Sequence, residues 1–239
     1  MNYKTVIISD LHLGSTYSRS KDIYKFLSEI KCETLILNGD IIDGWALKRG
    51  NSWSGEHMKC VRKIMKKAYK TKVIWVRGNH DDFLYDFIPI SLGNIEIVEN
   101  HELYGLNGKK YLVLHGDIFD IFVNEIKWLA KIGSICYDMA LWLNKWYNNY
   151  RAFMGKEYFS LSQKIKASVK EATNFIGNFE NHMVSHSKSL GFDGVICGHI
   201  HKAEIRTIDG IEYMNSGDWV ESNTALVEDH SGNWSLIYY

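Results

Sequence analysis

Five short apolar runs, each closed by a polar cluster, set the rhythm of this chain. Residues 5–9, rich in β-branched side chains, predict a buried strand that stops at Asp10-Leu11-His12. Residues 34–37 predict a second strand, stopping at Gly39-Asp40. Residues 72–76 predict a third, followed by Gly78-Asn79-His80-Asp81. Residues 111–114 lead into His115-Gly116-Asp117, and residues 194–197 into Gly198-His199-Ile200-His201. Helical periodicity marks residues 21–30 and a basic-faced stretch at 57–69. From Ala203 onward only strands are predicted, at 204–208, 211–214, 224–228 and 234–238.

Strands alternating with helices predict an α/β layered fold. The strand-only stretches extend it to a two-sheet β-sandwich with helices outside. Residues from about 118 to 190 show helical periodicity and no convincing strand. They predict a helical cap inserted into a single domain spanning 1–239. The one proline, Pro89, marks no boundary.

Composition narrows the setting. With Lys+Arg and Asp+Glu both at 28, the chain is formally neutral, which argues against a nucleic-acid partner. Cys32, Cys60, Cys136 and Cys197 are widely spaced, as expected of free thiols in a reducing compartment. The N-terminus runs straight into a strand without the pattern of a signal peptide. The longest weakly charged stretch, 132–143, is shorter than the roughly 20 residues a bilayer span needs. A cytoplasmic enzyme is expected. No GxxxxGK[ST] loop and no Gly-x-Ser-x-Gly elbow occurs, so ATP-driven and serine-nucleophile chemistry gain no support.

The chemistry lies at the strand ends. In open α/β sheets ligands collect at the carboxyl ends of strands, so the five clusters are expected to converge. They offer Asp10, His12, Asp40, Asn79, His115, His199 and His201. Carboxylate, imidazole and amide oxygen suit manganese, iron, zinc or cobalt. The set is too large for one tetrahedral ion and about right for two ions sharing a carboxylate. Such a pair can clamp the attacking and leaving oxygens of an in-line displacement. Asp81 and Asp117 are candidate acceptors that fix the tautomer of ligand histidines, with turn capping as the equal alternative. Trp45 and Trp219 follow ligand-bearing turns and either line the pocket or pack in the core, the core being the preferred reading.

This ordered set resembles the calcineurin-like metallophosphoesterase superfamily over nearly the whole chain. The resemblance implies a sandwich flanked by helices and two divalent ions, with manganese the first expectation. It implies Asp10, His12, Asp40 and His201 around one ion, and Asp40, Asn79, His115 and His199 around the other. His80 and Asn79 are then the residues nearest the chemistry, His80 contacting the scissile phosphate or leaving group.

Longer strings narrow the branch. Residues 9–14, 39–45 and 215–222 resemble UDP-2,3-diacylglucosamine diphosphatases of lipid A synthesis and their phospholipase C-like relatives. The large apolar and aromatic content of 119–147 fits a lipid-covering cap touching the membrane surface; a helical hairpin packed on itself and a homodimer interface are the other readings. Arg151, Lys166 and Lys170 are candidates to hold substrate phosphate, Lys166 and Lys170 sharing a helix face. The diphosphatases typically carry Arg where this chain has His80. A histidine can protonate an alkoxide leaving group, a service worth about 10²–10⁴-fold. The sequence reading therefore leans to phospholipase C-type cleavage of a glycerophospholipid diester. The alternative is the pyrophosphatase, and beyond it a hydrolase of soluble phosphoesters or a silent binding scaffold.

Overall fold

In a computed structural model of the chain, residues 1–119, 154 and 179–239 are described. The chain divides into two compact units, Met1–Asp117 with Asn181–Tyr239, and Ile118–Glu180. The second overlaps the expected cap at 118–190 and lies almost entirely outside the described residues.

The first unit opens with β1 (Asn2–Ile8), α1 (Ser20–Glu29), β2 (Lys31–Asn38), α2 (Gly44–Lys48), α3 (Gly55–Lys67) and β3 (Lys72–Val76). Three short strands follow, β4 (Ile90–Leu92), β5 (Ile95–Val98) and β6 (His101–Tyr104), and then β7 (Lys110–Val113). The C-terminal part holds β8 (Gly194–Cys197), β9 (Glu204–Ile208), β10 (Ile211–Asn215), β11 (Thr224–Glu228) and β12 (Trp234–Tyr238). Seven strands form one sheet in the order β12-β11-β1-β2-β3-β5-β4, and five form a second in the order β6-β7-β8-β10-β9. β1, β2, β3 and β5 are parallel neighbours, as are β7, β8 and β10.

Side-chain alternation builds two apolar layers. Val6, Ile8, Leu35, Leu37 and Val73 face one way and pack with Ile23, Phe26 and Leu27 of α1 and Ile64 of α3. Ile7, Ile36, Ile74 and Val76 face the other way and pack with Tyr111, Val113, Ile196 and Met214 of the second sheet. The central strands are thus buried on both faces, which is why they read as continuous apolar runs. This is the sandwich with outer helices that the sequence predicts. Parallel strands deliver their carboxyl ends to one edge, and that edge carries the polar clusters.

Candidate metal centre

The turns that leave these strands are sharply bent. Asp10, His12, Asp40, His199 and His201 all adopt left-handed backbone, with φ between 46° and 68°. Non-glycine residues rarely do so, and concentration of such strain marks a functional site. Backbone bonds hold the turns together. The Asp10 N–H donates to Gly39 O at 3.0 Å, His12 N–H to Asp40 O at 2.9 Å, and Gly198 N–H to His115 O at 3.1 Å. Glycines let the segments close on one another. A Cβ on Gly78 would collide with Asp40, and one on Gly39 with the His115 ring.

Each central carboxylate divides its labour. Asp10 Oδ2 accepts from His199 N–H at 3.1 Å, and Asp40 Oδ1 accepts from His80 N–H at 2.8 Å. The second oxygens face histidines. Asp10 Oδ1 lies 3.2 Å from His201 Nε2 and 3.9 Å from His12 Nε2. Asp40 Oδ2 lies 3.4 Å from His115 Nε2, 3.7 Å from His12 Nε2 and 4.0 Å from His80 Nε2. Three groupings could each hold an ion: Asp10, His12 and His201; Asp40, His115 and His199; and His12, Asp40 and His80.

The donor set fits cations. Among the described residues, Asp10 Oδ1, Asn79 Oδ1 and His115 Nε2 are buried without a hydrogen-bond partner. Buried polar atoms are rarely left so. His115 Nδ1 lies 2.9 Å from the Asn38 carbonyl, which accepts, so Nδ1 carries the hydrogen. In the neutral ring Nε2 presents a lone pair to the Asp40 carboxylate, a contact that either a proton on Nε2 or a bound cation would satisfy. The local field says the same. Burial alone would raise the Asp10 and Asp40 carboxyls, yet the surrounding histidines outweigh it and hold both below their ordinary range. Burial alone would lower His12, His115 and His201, yet the neighbouring carboxylates outweigh it and raise all three.

Asp43 escaped the sequence reading. Its Oδ1 lies 2.9 Å from His80 Nδ1, its Oδ2 lies 3.5 Å from His12 Nδ1, and it caps α2 through Ala46 N–H at 2.7 Å. Burial pushes this carboxyl up, but the bonds to His12 and His80 prevail and hold it well below the usual range. The signal was present as the second Asp of Gly39-Asp40-Ile41-Ile42-Asp43, which reads as an ordinary turn.

Of the two readings of Asp81, turn capping is the one the contacts favour: its carboxylate accepts from Ile41 N–H at 3.0 Å and Ile42 N–H at 2.9 Å, bracing the turn behind Asp40. Burial and the nearby Asp40 charge push it up to about 7. Asp117 pairs with Arg77 at 3.3 Å and lies within electrostatic reach of His115 and His199; His115 Nδ1 itself is engaged by Asn38. The tryptophans also part company. Trp219 is fully buried against Phe26, whereas Trp45 is 37% exposed with its ring 4.2 Å from that of His80. Arg151, Lys166 and Lys170 lie outside the described residues.

Fold and strand-end cluster together define a binuclear-type hydrolase scaffold. The family model for calcineurin-like phosphoesterase matches residues 3–203, and the chain belongs to that family. It is a metal-dependent phosphoesterase. It is 25% identical over 230 residues to UDP-2,3-diacylglucosamine hydrolase of Aliivibrio fischeri, covering 92% of each chain. It is 24% identical over 245 residues to the Haemophilus influenzae protein of the same name, covering 96% of this chain and 97% of that one. Among solved structures, a novel archaeal phosphodiesterase aligns with a TM-score of 0.45 at 16% identity, over 98% of this chain and 99% of that one. No helix among the described residues is long and apolar enough to cross a membrane.

Proposed function

We propose that this chain hydrolyses the pyrophosphate of a UDP-2,3-diacylglucosamine-like lipid precursor, using two divalent ions, manganese first among them. In this reading Asp10, His12, Asp40 and His201 hold one ion, and Asp40, Asn79, His115 and His199 the other. The observation that carries it is the convergence of His115 and His12 imidazole nitrogens on Asp40 Oδ2, beside the unpartnered Asp10 Oδ1 and Asn79 Oδ1, from turns far apart in sequence. The substrate rests on similarity to the two UDP-2,3-diacylglucosamine hydrolases over more than nine-tenths of their length. A diacylated substrate places the work at a membrane surface.

When bound, the ions supply Lewis acidity and neutralise charge on the phosphoryl oxygens. The chain's own residues do the rest. Asp10 and Asp40 would hold the ions through the oxygens left free by their backbone bonds. Asp43, an acceptor, takes the Nδ1 hydrogen of His80, so His80 Nε2 is the tip facing the site. Trp45 covers the His80 ring and restrains its rotation.

One observation favours a second reading. A histidine aimed by a carboxylate is suited to protonating an alkoxide, which a phosphodiester expels and a pyrophosphate does not. Phospholipase C-type cleavage of a glycerophospholipid would use it. The deciding experiment incubates Mn²⁺-loaded protein separately with UDP-2,3-diacylglucosamine and with phosphatidylcholine micelles, reading products by mass spectrometry against Asp40→Ala. UMP and diacylglucosamine 1-phosphate are expected. Diacylglycerol and phosphocholine would transfer the assignment to the second reading. Turnover of neither by metal-loaded protein would overturn the lipid assignment.

A further inference from the structure

Arg77 is a buried cation beside the centre that the proposed chemistry does not use. Its side chain is 12% exposed. Nε donates to Glu99 Oε2 at 3.0 Å and Nη2 to Glu99 Oε1 at 2.6 Å, a two-pronged grip. Nη1 donates to the Gly78 carbonyl and to Asp117 Oδ2, each at 3.3 Å. Its own backbone N–H donates to Val98 O at 3.0 Å.

One guanidinium therefore ties three segments that enter the site: the end of β3, the end of β5 and the turn after β7. Two of these carry candidate ligands. Asn79 follows Gly78 directly, and His115 stands two residues before Asp117. Both belong, with Asp40 and His199, to the second ion's proposed set. None of Asp10, His12 or His201 sits on a segment that Arg77 grips. The planar fork matters, because a lysine offers one point charge and cannot span Glu99, Gly78 and Asp117 together.

We propose that Arg77 is a positioning residue for the second ion, holding Asn79 and His115 in register across β3 and the β7 turn. This rests on the two-ion reading above. Residues supporting metal ligands from behind typically change metal affinity by about 10–100-fold when removed. Arg77→Met is therefore expected to weaken one ion of the pair by about that factor and leave the other nearly unchanged.

The test is Mn²⁺ binding to the full chain, by calorimetric titration and by the electron paramagnetic resonance of bound manganese. Wild type is expected to bind two ions and show a spin-coupled pair. Arg77→Met at limiting Mn²⁺ should show the resolved hyperfine pattern of an isolated ion. Arg77→Lys should recover part of the second affinity, and Asp10→Ala should weaken the opposite ion. Two ions bound by Arg77→Met as tightly as by wild type would overturn the proposal and spare the two-ion reading. Equal weakening of both ions would also overturn it, because that is what general loosening does. Fewer than two ions in wild type would overturn both. Should Arg77→Met not fold, Glu99→Gln, which loosens the fork while keeping the guanidinium, must show the same one-sided loss for the proposal to stand.

Discussion

Asp43 Oδ1 sits 2.9 Å from His80 Nδ1, and the other oxygen of the same carboxylate sits 3.5 Å from His12 Nδ1. One carboxylate thus steers both a candidate proton donor and a candidate metal ligand. Asp43→Asn and His80→Ala should each lower kcat, by about 10²–10⁴-fold on a substrate with a poor leaving group. Their double mutant should lose little more than the worse single, since residues acting as a unit are not additive. Fully multiplicative losses in a double-mutant cycle would mean that Asp43 does not act through His80.

Gly78 predicts a steric effect with a metal readout. A Cβ there would run into Asp40, the carboxylate shared by both proposed ligand sets. Gly78→Ala should destabilise by roughly 1–3 kcal/mol, in the range of overpacked sites. It should also lower metal content measured by mass spectrometry after desalting. Gly50→Ala is a contrast in crowding, because a Cβ there meets nothing within 4 Å, although its φ of 93° makes that substitution strained in its own right. If Gly78→Ala kept full metal content, the close approach of β2 and β3 ends would not be required for binding.

The parts legible in the sequence are those whose burial is two-sided. β1, β2, β3 and β8 are buried and mostly apolar in the half that reaches the site, so a run of Val, Ile and Leu announces them. β4, β5 and β6 escaped because they are three or four residues long and interrupted by polar or exposed positions, leaving no apolar run to see. Site residues closing a strand were legible by position. Asp43, Arg77 and the true partners of Asp81 were not, because each acts on residues about 22 to 40 positions away through contacts that only the folded turns create.

Metal removal should cost stability as well as turnover. Without an ion, the buried Asp10 and Asp40 carboxylates are offset only by neighbouring histidines, whose pKa they raise, and Asn79 Oδ1 is left without a partner. A ligand that binds only the folded state at about 100 times its Kd adds roughly 2.7 kcal/mol. Dialysis against a chelator should therefore lower Tm and abolish hydrolysis, and Mn²⁺ should restore both. An unchanged Tm in scanning calorimetry, with metal removal confirmed, would contradict the buried-cation account.

His57, in the capping box of α3, links folding to pH. His57 occupies the first turn of α3, where its Nδ1 accepts from Ser54 N–H at 3.3 Å while Ser54 Oγ accepts from His57 N–H. Burial lowers its pKa from the ordinary 6.5, and an acceptor nitrogen must also be unprotonated. The unfolded chain therefore takes up a proton near 6.5 that the folded chain refuses. This contribution to stability is complete above that pH and is lost as pH falls through the folded value. His57→Gln keeps a side-chain acceptor at the same position of the capping box but cannot titrate. Between neutral pH and mildly acidic pH, wild type should lose more Tm than His57→Gln does. Parallel Tm profiles for the two proteins would show that His57 stays neutral in both states or protonates equally in both, and the proposed linkage would be wrong.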